Sequence, residues 1–267
     1  MFRYFGFGSN MNITSLRAKG IEPLSSRRAV LEGWRLRFNV QHFFRHEGGV
    51  GNIERGGPDD RVLGVLHDCP DDALAALDAM EAYGHGYDRI TVDVKAESTE
   101  GMERLPAFTY VGMPEFINDT CRPSRRYLNI VVDGARQSGL DADYVSKLAA
   151  LPVYQPDDYP PFEAPTGHYP MFDADSLADH PLYTALYGAV FDMSRARPLH
   201  EYLKGFFGGR DMTLFHLKRL DSSDGSESMD DIRHGRLNPA QWRYINSYLN
   251  EYAKEYRYVG RFNYTKT

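Results

Sequence analysis

The first ten residues constrain the fold most, because an aromatic run is interrupted by two glycines and ends in two short polar residues. In order, the stretch reads Tyr4-Phe5-Gly6-Phe7-Gly8-Ser9-Asn10. The aromatic residues favour a strand, and the glycines allow the backbone to turn and to approach another group closely. We therefore predict a first strand that ends in a loop whose backbone N–H groups can hold a carboxylate.

A tight turn without a ligand is the alternative interpretation of this loop, since most glycine-rich turns only redirect the chain. A dinucleotide- or phosphate-binding loop is a weaker match to the residues. The third glycine of a G-x-G-x-x-G pattern is missing, and so is a Gly-Lys-Ser/Thr sequence. The residues alone therefore leave a structural role and a carboxylate-binding role open.

Charge and cysteine content argue against several classes of protein. The 267 residues carry a formal net charge of −6, which argues against a nucleic-acid-binding surface. Two cysteines, Cys69 and Cys121, are too few for a disulfide framework or a metal cluster, and they fit a reducing cytosol. Neither a signal-peptide pattern nor a membrane-length apolar run is found, so we expect a cytoplasmic protein that contacts no membrane.

The order of predicted elements in the first 150 residues indicates an α+β fold rather than repeated βαβ units. A helix capped by Asn12 or Thr14 follows the first strand. Alternating apolar residues predict one half-buried strand from Ala29 to Val40. Later strands are predicted at residues 62–68, 88–95 and 105–111, and Pro123 and Asp141 begin two further helices.

The helix predicted from Pro70 to Gly84 carries a carboxylate on its apolar side. Leu74 and Leu77 mark the buried stripe, and Glu81 lies on it at i+7 and i+4. A carboxylate in that position is costly unless it is paired or functional, and the last turn of a helix disfavours an anion. Glu81 is therefore a candidate proton acceptor and donor. The structural alternative is that its carboxylate reaches toward solvent or pairs with a nearby arginine such as Arg89.

His42 and His46 have the i, i+4 spacing of a zinc-binding pair, but they lie in a strand- and loop-like segment. The helix that a zinc HExxH site requires is missing there. We therefore expect no metal at these histidines.

Several stretches of residues 1 to about 152, taken in order, resemble the γ-glutamylcyclotransferase-like family. The loop at residues 4–10 resembles the family's YGSN loop, and residues 77–83 resemble the helix end that carries its single acid/base glutamate. Residues 49–53 and 62–66 resemble the two strands before that helix. Pro123-Ser124-Arg125-Arg126-Tyr127 resembles the segment with a substrate-site tyrosine, and residues 139–151 resemble the closing helix. The resemblance implies a small mixed β-barrel flanked by helices.

The resemblance also implies the site residues. It assigns the acid/base role to Glu81. Substrate binding is carried over to the loop and to two later tyrosines, namely Tyr4, Phe5, Gly6, Phe7, Gly8, Ser9, Asn10, Tyr87 and Tyr127. Two positions depart from the family pattern: Phe7 replaces the loop tyrosine and lacks its hydroxyl, and Tyr87 follows Glu81 one residue too early. No cofactor and no metal are implied.

The activity that the resemblance implies is closure of a γ-glutamyl group to 5-oxoproline, with release of an amine or amino acid. Two alternatives remain: γ-glutamyl acyl transfer or deblocking of a specialised metabolite, and a non-catalytic γ-glutamyl-binding module. The leaving group stays open between a dipeptide residue, the remainder of glutathione, a γ-glutamylamine or a larger acceptor. We expect a small-molecule γ-glutamyl substrate as partner, no nucleic acid and no membrane, and we leave homodimer formation open.

The resemblance ends near residue 152, so three regions are predicted: a catalytic domain at 1–152, a linker or arm at 153–181, and an α+β extension at 182–267. In the extension, strands are predicted from Leu182 to Phe191 and from Met212 to Leu220. Helices are predicted from Pro198 to Phe207 and onward from Asn238-Pro239.

A faint repeat links the extension to the catalytic module. Residues 187–192 echo residues 63–68, and Gly205 falls where Glu81 stands. The extension is therefore hypothesised to be a degenerate half-copy without the acid, and chance similarity is the alternative.

Overall fold

The structure, a computed structural model, describes residues 1–264. The chain divides after Pro156 into two compact units. Within the described residues, no helix combines the length and apolar character that crossing a bilayer requires.

A closed barrel forms the centre of the N-terminal unit. The strands of this unit are β1 (Phe2–Gly6), β2 (Ser25–Glu32), β3 (Trp34–Gln41), β4 (Gly49–Arg55), β5 (Arg61–Cys69), β6 (Tyr87–Ser98) and β7 (Gly101–Gly112). The barrel order is β1-β5-β2-β6-β7, and β3 and β4 form a separate two-stranded sheet. β1 pairs antiparallel with β5 and parallel with β7. The predicted α+β fold with a small mixed barrel is therefore confirmed.

Alternation along β1 gives its two faces different roles. Phe5, together with Phe7 beyond the strand end, packs in the cluster of barrel residues that includes Leu66 and Val94. Tyr4 points the other way and packs in a cluster with Leu77. The first strand thus joins the barrel core to the layer of helices.

The helices of the N-terminal unit are α1 (Ile13–Ala18), α2 (Ala73–Met80), α3 (Arg125–Gln137) and α4 (Ala142–Ala149). Asn12 caps α1, because its side chain accepts a hydrogen bond from the Ser15 amide. Asp141 caps α4 in the same way. Leu77 of α2 is fully buried, so this helix packs its predicted stripe against β1.

Two predicted elements of this unit are wrong in their bounds. The strand predicted from Ala29 to Val40 is two strands, because Gly33 takes a φ of 73° and turns the chain between β2 and β3. Only glycine adopts that backbone conformation without strain. The helix predicted from Pro70 to Gly84 is limited to α2, and Glu81 is its C-cap residue.

The C-terminal unit contains an open sheet with helices around it. Its strands are β8 (Met171–Phe172), β9 (Tyr183–Leu186), β10 (Ala189–Asp192), β11 (Arg210–Asp211) and β12 (Arg257–Phe262), in the order β11-β9-β10-β12-β8. Its helices are α5 (Ala174–Ala178), α6 (Glu201–Phe207), α7 (Thr213–Leu217), α8 (Met229–Arg233) and α9 (Pro239–Glu255). The helices predicted to end at Phe207 and to begin at Asn238-Pro239 are confirmed.

Several predictions for the C-terminal unit are corrected. Residues 182–191 form the hairpin of β9 and β10 rather than one strand, and the predicted arm contributes β8 to the sheet. The predicted strand from Met212 to Leu220 is the helix α7, because His216 on its buried side packs against Tyr248 of α9.

The hypothesis that the extension is a half-copy of the catalytic module fails at β11 and α7. In the register of the repeat, the residues of α7 correspond to residues 89–93, which lie in the long strand β6. β11 also pairs in parallel with β9, whereas β6 pairs antiparallel with both β2 and β7. The two segments therefore differ in secondary structure and in strand pairing.

Candidate active site

The glycine loop continues directly from the end of β1. A short 3₁₀ turn at Ser9–Met11 closes it, and the carbonyl oxygens of Gly8 and Ser9 accept hydrogen bonds of 3.1 Å from the next amides in the turn. A Cβ atom on Gly8 would lie 2.9 Å from the hydroxyl oxygen of Tyr127. The loop can therefore pass the Tyr127 ring because residue 8 has no side chain.

Asn10 connects the loop to the end of α2. Its Nδ2 donates to the Tyr4 hydroxyl at 2.6 Å and to Glu81 Oε1 at 2.9 Å, and its Oδ1 accepts from Lys19 Nζ at 2.6 Å. An ammonium group only donates and a carboxylate only accepts, so these partners fix the orientation of the amide. Asn10 is 4% exposed, and the network around it is largely shielded from water.

Glu81 lies at the centre of this network. Its side chain is 14% exposed, and it accepts hydrogen bonds from Asn10 and, at 3.1 Å, from Lys19 Nζ. Lys19 follows α1 directly, and its side chain is only 7% exposed. A shielded carboxylate and a shielded ammonium each compensate the other for lost hydration.

The predicted alternative partner of Glu81 is wrong. Arg89 instead forms a salt bridge of 2.6 Å with Asp78, one turn earlier on α2. Asp78 also accepts a hydrogen bond from Tyr110. The two carboxylates of α2 thus have separate cations, and Lys19 is the cation beside Glu81.

Tyr87 and Tyr127 meet at the backbone of one residue, Gly51 of β4. The Tyr87 hydroxyl donates to the Gly51 carbonyl at 2.7 Å, and the Tyr127 hydroxyl accepts from the Gly51 amide at 3.0 Å. The backbone and side chain of Ser9 also hydrogen-bond Tyr127. Tyr127 therefore connects the glycine loop to β4, and Tyr87 connects β6 to the same residue of β4.

These tyrosines are held as neutral phenols. Burial raises the pKa of Tyr4, Tyr87 and Tyr127, and the nearby Glu81 carboxylate raises each pKa further. A phenol with a raised pKa stays protonated at neutral pH. The three hydroxyls therefore serve this site as hydrogen-bonding groups and not as bases.

His67 of β5 supports the loop from the other side of Asn10. Its Nε2 lies 2.9 Å from the Asn10 carbonyl oxygen, and its Nδ1 lies 2.8 Å from Ser26 Oγ. A carbonyl oxygen only accepts, so Nε2 carries the proton and Nδ1 accepts from Ser26. Burial lowers the pKa of His67 from 6.5 to about 4, which keeps the imidazole neutral.

The structure brings most of the sequence-predicted residues together. Some of them contribute side-chain hydrogen bonds to the site, and others can contribute only backbone groups. Glu81, Tyr4 and Asn10 form one hydrogen-bonded group, and Tyr127 reaches it through Ser9. The side chains of Phe5 and Phe7 pack in the barrel core, so these two residues can offer only backbone groups to a ligand.

Three participants were missed from the sequence: Lys19, His67 and Gly51. Lys19 counted only as the end of a short helix, and Gly51 only as part of a strand. His67 gave a signal, because it interrupts an apolar strand as Val65-Leu66-His67 and a polar residue there must find buried partners. Lys19 gave none, since its partner is 62 residues away.

In the part of the chain that the structure describes, no group of three or more histidine, cysteine, aspartate or glutamate side chains is arranged to hold a metal ion. His46 is buried beside Glu47, which is paired with Arg126.

Comparisons with known proteins give matches to part of this chain. Residues 61–148 match the model of the AIG2-like family. A mouse protein named gamma-glutamylcyclotransferase is 27% identical over 161 residues, which cover 59% of this chain and 81% of that protein. The human protein of the same name is 28% identical with the same coverage. A solved structure titled gamma-glutamyl cyclotransferase is 27% identical, with a TM-score of 0.49, and covers 59% of this chain and 90% of that one.

The family-model match and the mouse and human relatives support a γ-glutamylcyclotransferase-like family segment in this chain. The segment includes residues 61–148, which contain β5, α2, β6 and β7 together with Glu81.

Proposed function

We propose that the N-terminal unit is a γ-glutamylcyclotransferase-type enzyme in which Glu81 is the general base and acid. The observation that carries the proposal is the placement of Glu81, a shielded carboxylate hydrogen-bonded to the last residue of the glycine loop. The family segment that contains Glu81 supports the same assignment.

The reaction needs few protein groups, because the substrate contains its own nucleophile. In a γ-glutamyl compound, the neutral α-amine attacks the γ-carbonyl carbon and closes a five-membered ring. Such intramolecular steps reach effective molarities of about 10⁵ M or more when the reacting atoms are well oriented. The protein therefore has to hold the substrate in a folded conformation and move one proton.

Glu81 is suited to moving that proton. In residues 1–264, the hydrogen bonds to its carboxylate both reach Oε1, so Oε2 is the oxygen for the proton step. It accepts a proton from the amine as the new N–C bond forms, and returns it to the leaving nitrogen as the old C–N bond breaks. The products are 5-oxoproline and the free amine.

The glycine loop is the proposed binding site for the carboxylate and carbonyl oxygen atoms of the substrate. Backbone N–H groups of Gly6 to Ser9 would hold the α-carboxylate and could also stabilise charge on the γ-oxygen. Phe7 supports a role for the backbone rather than for side chains. Its side chain packs in the barrel core, so only its backbone can contact a ligand.

The test is release of 5-oxoproline by wild-type protein and by Glu81→Gln. A substrate panel of a γ-glutamyl dipeptide, glutathione and a γ-glutamylamine is required, because the residues do not choose the leaving amine. We expect turnover by the wild type and a loss of about 10²–10⁴-fold in kcat for Glu81→Gln, since the amide cannot accept the proton.

Asp78→Asn is the matched control, because it makes the same change one turn earlier on α2, where the carboxylate is paired with Arg89. It should retain most of the wild-type kcat. Equal losses in both variants, or full activity of Glu81→Gln, would remove Glu81 from the mechanism. γ-Glutamyl transfer without 5-oxoproline would indicate acyl transfer instead, and binding without turnover would indicate a binding module.

A further inference from the structure

Lys19 is a charged side chain that the proposed reaction does not use. Its ammonium group is 2.6 Å from Asn10 Oδ1 and 3.1 Å from Glu81 Oε1, and the side chain is 7% exposed. Burying an ammonium is costly unless it is paired. Pairing with Glu81 compensates this cost, but it gives no explanation of what the ammonium does when a substrate is bound.

The chemistry of the substrate supplies one. The α-amine and α-carboxylate of a γ-glutamyl compound are attached to the same carbon atom. When the amine reaches Glu81, the substrate carboxylate must therefore also lie near the Glu81 carboxylate. Two carboxylates at close range repel each other strongly in a site shielded from water. A cation between them removes this repulsion.

We infer that Lys19 is a specificity-determining residue that binds the α-carboxylate of γ-glutamyl substrates, an inference that rests on the proposed function. Backbone amides of the glycine loop supply hydrogen bonds to that carboxylate, and Lys19 supplies its counter-charge. The α-amine and α-carboxylate of the substrate are then matched by Glu81 and Lys19. A γ-glutamyl compound whose α-carboxylate is blocked as an amide loses the contact with Lys19.

Other cations near α1 and α2 have different carboxylates as partners. Arg89 is paired with Asp78, and Arg17 on α1 is paired with Glu22 at 2.7 Å on the surface. Arg17 therefore offers a matched control, since it is a basic residue on the same helix whose ion pair is exposed.

Equilibrium binding of two stable compounds tests the inference without requiring turnover. The probes are 5-oxoproline, which carries the carboxylate, and 5-oxoprolinamide, in which that group is a neutral amide. Calorimetric titration should show that the wild type prefers 5-oxoproline by about ten- to a hundredfold, the range of a charge-assisted hydrogen bond. Lys19→Met should bind the two compounds about equally, whereas Lys19→Arg and Arg17→Met should keep the preference.

Two results would overturn the inference: a wild type that shows no preference or binds neither compound, and a Lys19→Met protein that keeps the wild-type preference. The wild-type measurement needs no variant, so a folding defect in Lys19→Met does not remove the test. Thermal unfolding of each variant checks that the fold is intact.

Turnover separates this inference from the proposed function and from a purely structural role. If Lys19 only positions Glu81, Lys19→Met should lower kcat equally for a γ-glutamyl dipeptide and its α-carboxamide analogue, and the binding preference should survive. If Lys19 binds the carboxylate, KM should rise for the dipeptide alone. A wild type that binds 5-oxoproline through Lys19 but releases none from the panel would contradict the enzyme and leave the binding role of Lys19 standing.

Discussion

His67 in the N-terminal unit and Asp211 in the C-terminal unit are both buried titratable groups, but one is a base and the other an acid. Burial lowers the pKa of His67 to about 4 and raises the pKa of Asp211 from 3.8 to about 6. In both cases the apolar surroundings favour the neutral form of the side chain. The same physical cause therefore displaces the two pKa values in opposite directions.

The immediate hydrogen-bond partners of both groups are neutral and only partly offset burial. His67 lies between a serine hydroxyl and a backbone carbonyl. Asp211 Oδ1 accepts from the Thr213 hydroxyl at 2.7 Å and from the Tyr264 hydroxyl at 3.2 Å. Its Oδ2 is buried and has no hydrogen-bond partner among residues 1–264. Hydrogen bonds with these partners favour the charged form of each group but do not outweigh burial, so both pKa values shift toward the neutral form.

Asp192 shows what stronger hydrogen bonding and a nearby cation change. Burial acts to raise its pKa, but hydrogen bonds from Ser194 and from Arg257, whose Nη2 lies 2.7 Å away, outweigh burial and hold the pKa below its usual range. Two aspartates of the same unit thus shift in opposite directions. The comparison teaches that burial alone does not set the sign of a pKa shift, since hydrogen bonds to the carboxylate, together with a nearby cation, can outweigh it.

The largest pH effect on stability is expected for His67. Its folded pKa lies below 6.5, so its contribution is present above pH 6.5 and is lost as the pH falls from 6.5 through about 4. His67→Gln keeps a donor for the Asn10 carbonyl but cannot be protonated. We expect the wild type to lose about 3 kcal/mol of unfolding free energy relative to this variant between pH 7.5 and pH 4.

Denaturant unfolding in a Trp242→Phe background measures this loss, because Trp34 then reports on the N-terminal unit alone. A stability difference between wild type and His67→Gln that stays constant over this pH range would contradict the assignment of His67 as a buried neutral base.

A smaller effect of opposite sign is expected for Asp211. Its folded pKa is raised, so its contribution is present below pH 3.8 and is lost as the pH rises through about 6. Asp211→Asn should be about 1–2 kcal/mol more stable than the wild type at pH 8, because the cost of the buried anion exceeds that of an unpaired amide. At pH 4 the gain should be absent.

Asp192→Asn is the matched control for this measurement, since the pKa of Asp192 is lowered and the same substitution should destabilise the protein at pH 8. Fluorescence of Trp242 in a Trp34→Phe background follows the C-terminal unit. If both substitutions changed the unfolding free energy at pH 8 by the same amount and with the same sign, the hydrogen-bond partners would not determine the direction of the pKa shift.

The smallest expected effect compares the start of one helix in each unit. Asn238 caps α9, and its side chain accepts hydrogen bonds of 2.9 Å from the amides of Ala240 and Gln241. Asp72 occupies the same position before α2 but makes no side-chain capping bond. Asn238→Ala should cost about 1 kcal/mol of unfolding free energy, and Asp72→Ala only a few tenths.

The same tryptophan backgrounds measure these two losses at pH 7, with Trp242 inside α9 as a local reporter. A loss for Asp72→Ala as large as that for Asn238→Ala would show that helix-dipole interactions, and not the capping bonds, set the contribution of these positions.

Local chemistry made much of the fold predictable. The cap at Asn12 and the Asn238-Pro239 helix start were found because capping depends on neighbouring residues. The break at Gly33 was missed because the apolar alternation continues across a tight turn. The run at residues 212–220 suits a strand or a helix, and packing against α9 selects the helix.

The candidate site also contains residues that the sequence made recognisable and one residue that only the tertiary structure revealed. Glu81 was conspicuous because a carboxylate on an apolar stripe contradicts its surroundings, and the glycine loop was conspicuous by its composition. For the cation beside Glu81, the structural alternative named a nearby arginine such as Arg89. The cation is Lys19, because the packing of α1 and α2 against β1 brings together residues from distant parts of the chain.

The sequence by itself determined the elements whose causes are local: the strand and glycine loop at the N-terminus, the presence of the helix that leads to Glu81, and the caps of several helices. Only the tertiary structure decided which charges meet, because Lys19 and Glu81 are separated by 62 residues and become neighbours when the barrel closes. Contacts of that kind depend on how every intervening element packs, and no pattern within a short window of residues encodes them.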